Sequence, residues 1–113
     1  MQRRRLIAIA IYLVVSVLAL LLIYALGVLV SSNTFRHPSL LAKQAVTLDH
    51  ISNGRLELGL GAGWYIPEHE MFGIPFPGNA ELVGRFKEAV EICNALFTQD
   101  VTTYEGKYYQ VRD

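Results

Sequence analysis

Apolar positions run from Leu6 to Val30 without a single charge, broken only by Ser16 and Gly27. At about 1.5 Å per residue, a helix over this run would reach beyond the roughly 30 Å hydrocarbon layer of a bilayer. The preceding Arg3, Arg4 and Arg5 are the flank that favours a cytoplasmic N-terminus. The pattern predicts an apolar transmembrane helix or signal anchor over residues 1–25, with the remainder facing outward. A cleaved signal peptide is a rival, since Ala25-Leu26-Gly27 resembles a cleavage site, but its apolar core would span only about 7–15 residues. A buried helix or a mis-joined start is the third reading. Leu26–Val30 suits a buried parallel strand as well as it suits the end of a membrane helix.

Helical spacing takes over after a polar turn at Ser31-Ser32-Asn33-Thr34. Leu41, Ala45 and Leu48 recur on one stripe, flanked by Leu40 and Ile51, with Pro38 fit for a first turn and Gly54 for a left-handed cap. From Arg55 to Leu60 the period drops to two, Leu56, Leu58 and Leu60 alternating with Glu57 and Gly59, which predicts a strand. In a barrel strand the leucines would face the helix layer and Glu57 the interior, where it needs a partner or a proton. A glycine corner, Gly61-Ala62-Gly63, comes next. Trp64 to Asn79 carries three prolines and two glycines and predicts a long loop; its aromatics, Trp64, Tyr65, Phe72 and Phe76, suggest that it folds over the mouth of a site or packs on a neighbour.

Asn79 is placed to cap the clearest helix, Glu81 to Phe97, whose apolar face is Leu82, Phe86, Ala89, Cys93 and Leu96. Glu81 with Arg85, and Lys87 with Glu91, form i,i+4 pairs outside. Val101–Tyr104 and Lys107–Val111 read as a hairpin turning at Glu105-Gly106.

Length limits these elements to a part of any large α/β fold. The chain has 113 residues, against roughly 250 for a complete α/β barrel. Ten basic and ten acidic side chains cancel, and no basic patch with interleaved aromatics appears, which argues against a nucleic-acid partner. The single Cys93 cannot close an internal disulfide, and its place on an apolar helix face predicts a buried, inert thiol. His37 reads as a loop or cap residue. His69, in Pro67-Glu68-His69-Glu70, lacks the spacing that puts two histidines on one helical face, and no metal site is expected. Glu57 is either structural or site-lining.

Several of these motifs together, SNTFRHPSLLAKQAVTLDHISNGRLELGLGAGW, EHEMFGIPFP, the Glu81 to Phe97 helix and TYEGKYYQVRD, resemble the bacterial luciferase-like monooxygenase family, above all its deazaflavin-dependent oxidoreductase members. The resemblance covers residues 26–113. It implies an α/β fold, a partial (β/α)8 TIM barrel behind the apolar helix, with the cofactor lying across the C-terminal strand ends. It also implies a non-prolyl cis peptide near Leu29-Val30. The cofactor-binding residues it implies are Leu29, Val30, Ser31, Ser32 and Asn33 at one strand end and Gly61, Ala62 and Gly63 at the next, where missing bulk lets a ring approach the main chain. The cofactor implied is the deazaflavin coenzyme (F-420), with FMN as the alternative, acting on a small organic substrate by hydride transfer or oxygen insertion. An oligomer is compatible with this, and the membrane would be met through residues 6–25.

The same resemblance marks departures. The family's first two βα units and their histidine would precede Leu26, and its second half would come after Asp113, so no catalytic acid or base is assignable and the chain reads as a fragment or an aberrant fusion. Two rival classes stand beside it. A Rossmann-type module would need a third glycine at Trp64 and an uninterrupted helix through Pro67. A non-catalytic membrane-anchored remnant would bind a partner through its aromatic loop and strand edges.

Overall fold

The structure, a computed structural model, describes residues 7, 9–17 and 26–112. Its elements are β1 (Leu26–Ser32), a 3-10 turn (Asn33–Phe35), α1 (Pro38–Ser52), β2 (Leu56–Gly61), α2 (Ile66–Phe72), α3 (Asn79–Thr98), β3 (Tyr104–Glu105) and β4 (Gln110–Val111). This is a mixed helix and sheet arrangement. β1 and β2 are parallel neighbours joined through α1, the βαβ connection that parallel strands require.

Leu26–Val30 is strand, so the apolar run does not continue as helix to its end. Residues 7 and 9–17 are helical, and each is exposed. Among the described residues no helix is long and apolar enough to cross a membrane. The expected spanning helix gains no support from them, and much of it, at 1–6, 8 and 18–25, lies outside the described residues.

α1 forms where the sequence places it. His37 caps its start, Nδ1 accepting from the Ser39 N–H at 3.2 Å, and Pro38 needs no donor in the first turn. The left-handed cap falls one residue before the expected glycine: Asn53 is left-handed at φ 60°, followed by Gly54 at φ 76°. Asp49 Oδ1 then accepts the Leu56 N–H at 3.1 Å, fixing the start of β2 to the last turn of α1.

The core lies where α1 meets α3. Leu41, Ala42 and Ala45 are buried from one side and Ala89, Ile92 and Cys93 from the other, with Tyr109 completing it. Cys93 is the buried thiol its position predicts; its Sγ lies 3.7 Å from the Pro38 carbonyl, and burial pushes its pKa up. Ile92, fully buried, was not on the expected apolar stripe, because a 20-residue helix covered from two sides buries more than one line of residues.

Several local expectations are corrected. The presumed loop from Trp64 contains α2, with Pro67 inside its first turn, where proline costs no hydrogen bond, and left-handed Gly73 closing it at φ 65°. Gly78, not Asn79, is the N-cap of α3, without a side-chain hydrogen bond. Glu81 and Arg85 do pair, at 2.6 Å. The hairpin pairs Tyr104 with Val111 and Glu105 with Gln110, so its turn is Gly106–Tyr109 rather than Glu105-Gly106. Glu57 is exposed rather than buried: Leu56 and Leu58 line a groove with Ala45 and Leu96 on the helix side, and no described layer covers the opposite face of the sheet.

The hairpin is held to α3 by one carboxylate. Glu88 Oε1 accepts the Lys107 N–H at 2.8 Å, and Oε2 accepts those of Tyr108 and Tyr109 at 2.9 Å each. Desolvation alone would raise the Glu88 pKa, but these three donors and the Lys107 charge together hold it below the usual carboxylate range. A depressed carboxylate contributes stability above its unfolded pKa, and that contribution is lost as pH falls through the folded value. Glu88→Ala is expected to cost about 1–2 kcal/mol and to flatten the acid limb of stability below roughly pH 4.5, both measurable by urea unfolding across a pH series.

Tyr104 shows the opposite sign. Its hydroxyl donates to Glu91 Oε2 at 2.5 Å, and this bond first, then desolvation and the charges of Glu91 and Glu88, push its pKa up to about 12. Stability from this pair is fully present below the unfolded tyrosine value near 10 and is lost as pH rises to about 12. An absorbance titration should show one late-ionising tyrosine that Glu91→Gln returns toward the ordinary range.

Candidate functional site

Parallel strands end on one edge of their sheet, so the turns leaving β1 and β2 meet as neighbours. Ser31 pairs with Leu60 and Ser32 with Gly61, which sets the turn after β1 and the glycine corner after β2 side by side. Between them opens a cleft of about 620 Å³. Of the eight residues singled out from sequence, Val30, Ser31, Ser32, Gly61, Ala62 and Gly63 line it, joined by Phe35, Arg36, Trp64 and Glu68.

The other two are placed differently. Leu29 lies within the β1 backbone. Asn33 is buried in the turn and faces the hairpin, where its Nδ2 donates to the Tyr109 hydroxyl at 3.2 Å. The 3-10 turn after Ser32 sets Asn33 beside the hairpin, and its Oδ1 is buried without a hydrogen-bond partner. Nor is there a cis peptide among the described residues. Leu29 and Val30 instead fall where the pairing register shifts between Val28 and Ser31, so a bulge supplies the local irregularity.

The glycines are close-fitting. A Cβ on Gly61 would come within 2.6 Å of Val30 Cγ1. At Gly63, φ is +97°, and a Cβ would meet Ser32 Oγ at 2.7 Å and Thr34 Oγ1 at 3.1 Å. Only a bare main chain fits over these hydroxyls.

Beneath them lies a residue that the sequence pattern weighs only as a metal ligand. His69, on α2, is 1% exposed. Its ring stacks on Phe35 at 4.7 Å and meets Phe76 edge-on at 4.8 Å. Nδ1 lies 2.8 Å from the Tyr65 carbonyl, Nε2 lies 2.6 Å from Thr34 Oγ1, and Thr34 Oγ1 lies 2.8 Å from Ser32 Oγ. The i,i+4 spacing of Tyr65 and His69 was legible in the sequence; the meeting with Thr34 was not, since a glycine corner and a helix separate the two. The segment that begins at Trp64 is thus anchored through this histidine, while Trp64 itself, 81% exposed, stands at the rim.

Chemically the cleft offers a bare main-chain edge, two serine hydroxyls, apolar faces from Val30, Phe35 and Trp64, one cation in Arg36 and one carboxylate in Glu68. Arg36 Nη1 is steadied by Gln44 Oε1 at 2.8 Å. Flat aromatic ligands with a hydrogen-bonding edge match this set: the rings take the apolar faces, and the hydroxyls and main chain take the edge.

A family model for luciferase-like monooxygenases matches residues 25–113. The chain is 37% identical over 89 residues to an F420-dependent glucose-6-phosphate dehydrogenase of Beutenbergia cavernae, a match covering 78% of this chain and 26% of the relative. A protein of the same name from Microbacterium testaceum is 39% identical over 89 residues, with the same shares of 78% and 26%. Among solved structures, a monooxygenase from Streptomyces bottropensis superposes with a TM-score of 0.67 at 31% identity, over 77% of this chain and 26% of that one. The oxygenating constituent of 3,6-diketocamphane monooxygenase from Pseudomonas putida, a type II Baeyer-Villiger enzyme in complex with FMN, gives 0.65 at 29% identity, over 77% and 24%. The chain spans about a quarter of the length of these proteins.

Proposed function

The chain belongs to the luciferase-like monooxygenase family, and we propose that residues 26–113 form the cofactor-facing part of a β/α barrel oxidoreductase that binds a deazaflavin coenzyme. The observation that carries this reading is the convergence of Val30, Ser31, Ser32, Gly61, Ala62 and Gly63 on one cleft at the C-terminal edge of β1 and β2, the edge where α/β barrels place their chemistry. Deazaflavin is favoured because the curated relatives at 37% and 39% identity are named for it. FMN is the second candidate, since a structural neighbour carries it.

The coenzyme would supply the chemistry when bound: hydride transfer with deazaflavin, oxygen insertion with reduced FMN. The chain's own residues bind and orient. Gly61 and Gly63 admit the ring edge to the main chain, Phe35 and Trp64 cover apolar surface and exclude water, Ser31 and Ser32 offer polar contacts, and Arg36 gives an anionic tail a cation at the rim. The substrate would be a small organic molecule reached from the same edge.

Fluorescence titration of deazaflavin coenzyme and of FMN with the purified chain tests this. Saturable binding of one of them, weakened by a bulky residue at Gly61, is the expected result; no binding of either at high protein concentration would overturn it.

A second reading, a membrane-anchored interaction segment without catalysis, is favoured by one observation: Ile9, Ile11, Leu13, Val15 and Val17 are each more than half exposed on a helix with no polar face. Detergent-dependent extraction without any flavin binding would select it.

A further inference from the structure

We infer that His69 is a positioning residue that, through Thr34, turns the acceptor lone pairs of Ser32 Oγ toward the cleft, so that the site takes a ligand N–H there. The inference rests on the coenzyme reading above and deepens it.

The direction of each hydrogen bond is set from the end of the chain of contacts. The Tyr65 carbonyl can only accept, so His69 Nδ1, at 2.8 Å, carries the hydrogen. In a neutral imidazole Nε2 then accepts, so Thr34 Oγ1, at 2.6 Å, donates to it. Thr34 has only one hydroxyl hydrogen, which is thereby used. At 2.8 Å from Ser32 Oγ, Thr34 can therefore only accept, and Ser32 must donate. Ser32 has then also used its hydrogen, and its oxygen retains acceptor capacity alone. Ser32 lines the cleft, and Gly63 puts no side chain in front of it.

The ring is fixed for this task. His69 is buried, stacked on Phe35 and met edge-on by Phe76, so it cannot turn to exchange its nitrogens. Flavin and deazaflavin rings share one N–H donor on their pyrimidine edge, N3–H, and that is the complementary group. A ligand presenting only acceptors would face lone pair against lone pair.

Two measurements test this on the whole chain. The first is long-range ¹H–¹⁵N NMR of His69, which should show the tautomer protonated at Nδ1; protonation at Nε2 alone would overturn the inference. The second compares binding of FMN and 5-deaza-FMN with their N3-methyl analogues. The unaltered chain should prefer the unmethylated form about tenfold, the worth of one hydrogen bond. Ser32→Ala should abolish that preference, and Thr34→Val should reduce it, with Thr34→Ser restoring it. A preference that survives Ser32→Ala would reflect steric bulk alone and would sink the idea, as would equal binding of both forms by the unaltered chain. If no flavin binds at all, the coenzyme reading fails first and this inference with it, an outcome distinct from equal binding.

Discussion

Gly63→Val is expected to destabilise the chain by about 2–6 kcal/mol and to close the cleft to a flat ligand. Two penalties combine. At φ +97° an L residue is strained, and β-branching makes that region worse, at about 1–3 kcal/mol. The new side chain also has to displace Ser32 Oγ, 2.7 Å from the Cβ position, and Thr34 Oγ1 at 3.1 Å, an overpacking term of about 1–3 kcal/mol. Gly54 provides the control. It too has positive φ, +76°, but a Cβ there meets nothing within 4 Å, so Gly54→Ala should cost only about 1–2 kcal/mol. Urea unfolding of both variants separates conformation from collision. If the two cost the same, the close approach of Gly63 to the hydroxyls does not exist in solution.

The contrast between those glycines also shows what a sequence can and cannot disclose. The corner at Gly61-Ala62-Gly63 was legible as a place where main chain is bared, because strand alternation stops there and small residues begin. That it bares main chain against Ser32 and Thr34 depends on the pairing of Ser32 with Gly61, a non-local fact. The two long helices and the alternating strand between them were legible for the same local reason, since periodicity and capping residues act within a few positions, whereas the unbroken apolar run at Leu26–Val30 suits a strand and the end of a membrane helix equally. α2 was hidden because proline and glycine, read as breakers, sit at its first turn and its cap, where they are compatible with a helix. Glu57 was read as buried because a complete barrel would cover it. In the described residues it lies on the open face of a two-stranded sheet. Glu88 was invisible for another reason: its place on α3 looks like any solvated charge, and its task is set by backbone donors about 20 residues later.

Replacing His69 by alanine should cost about 3–5 kcal/mol, comparable with removing a buried aromatic. The ring is 1% exposed and fills the space between Phe35 and Phe76, so its loss leaves a cavity that two flanking aromatics cannot readily close. Two side-chain hydrogen bonds are lost at the same time, to the Tyr65 carbonyl and from the Thr34 hydroxyl, each worth about 0.5–1.5 kcal/mol, although Thr34 keeps its contact with Ser32 Oγ. His69→Phe separates the parts: it keeps most of the ring volume and both aromatic contacts but loses the same two hydrogen bonds, and should cost about 2 kcal/mol less than alanine. Hydrogen exchange on α2 is the local readout, since this histidine ties that helix to the turn after β1. Unchanged protection in α2 with His69→Ala would mean that the helix is held by other contacts, and that the aromatic loop reaches the cleft edge without its buried anchor.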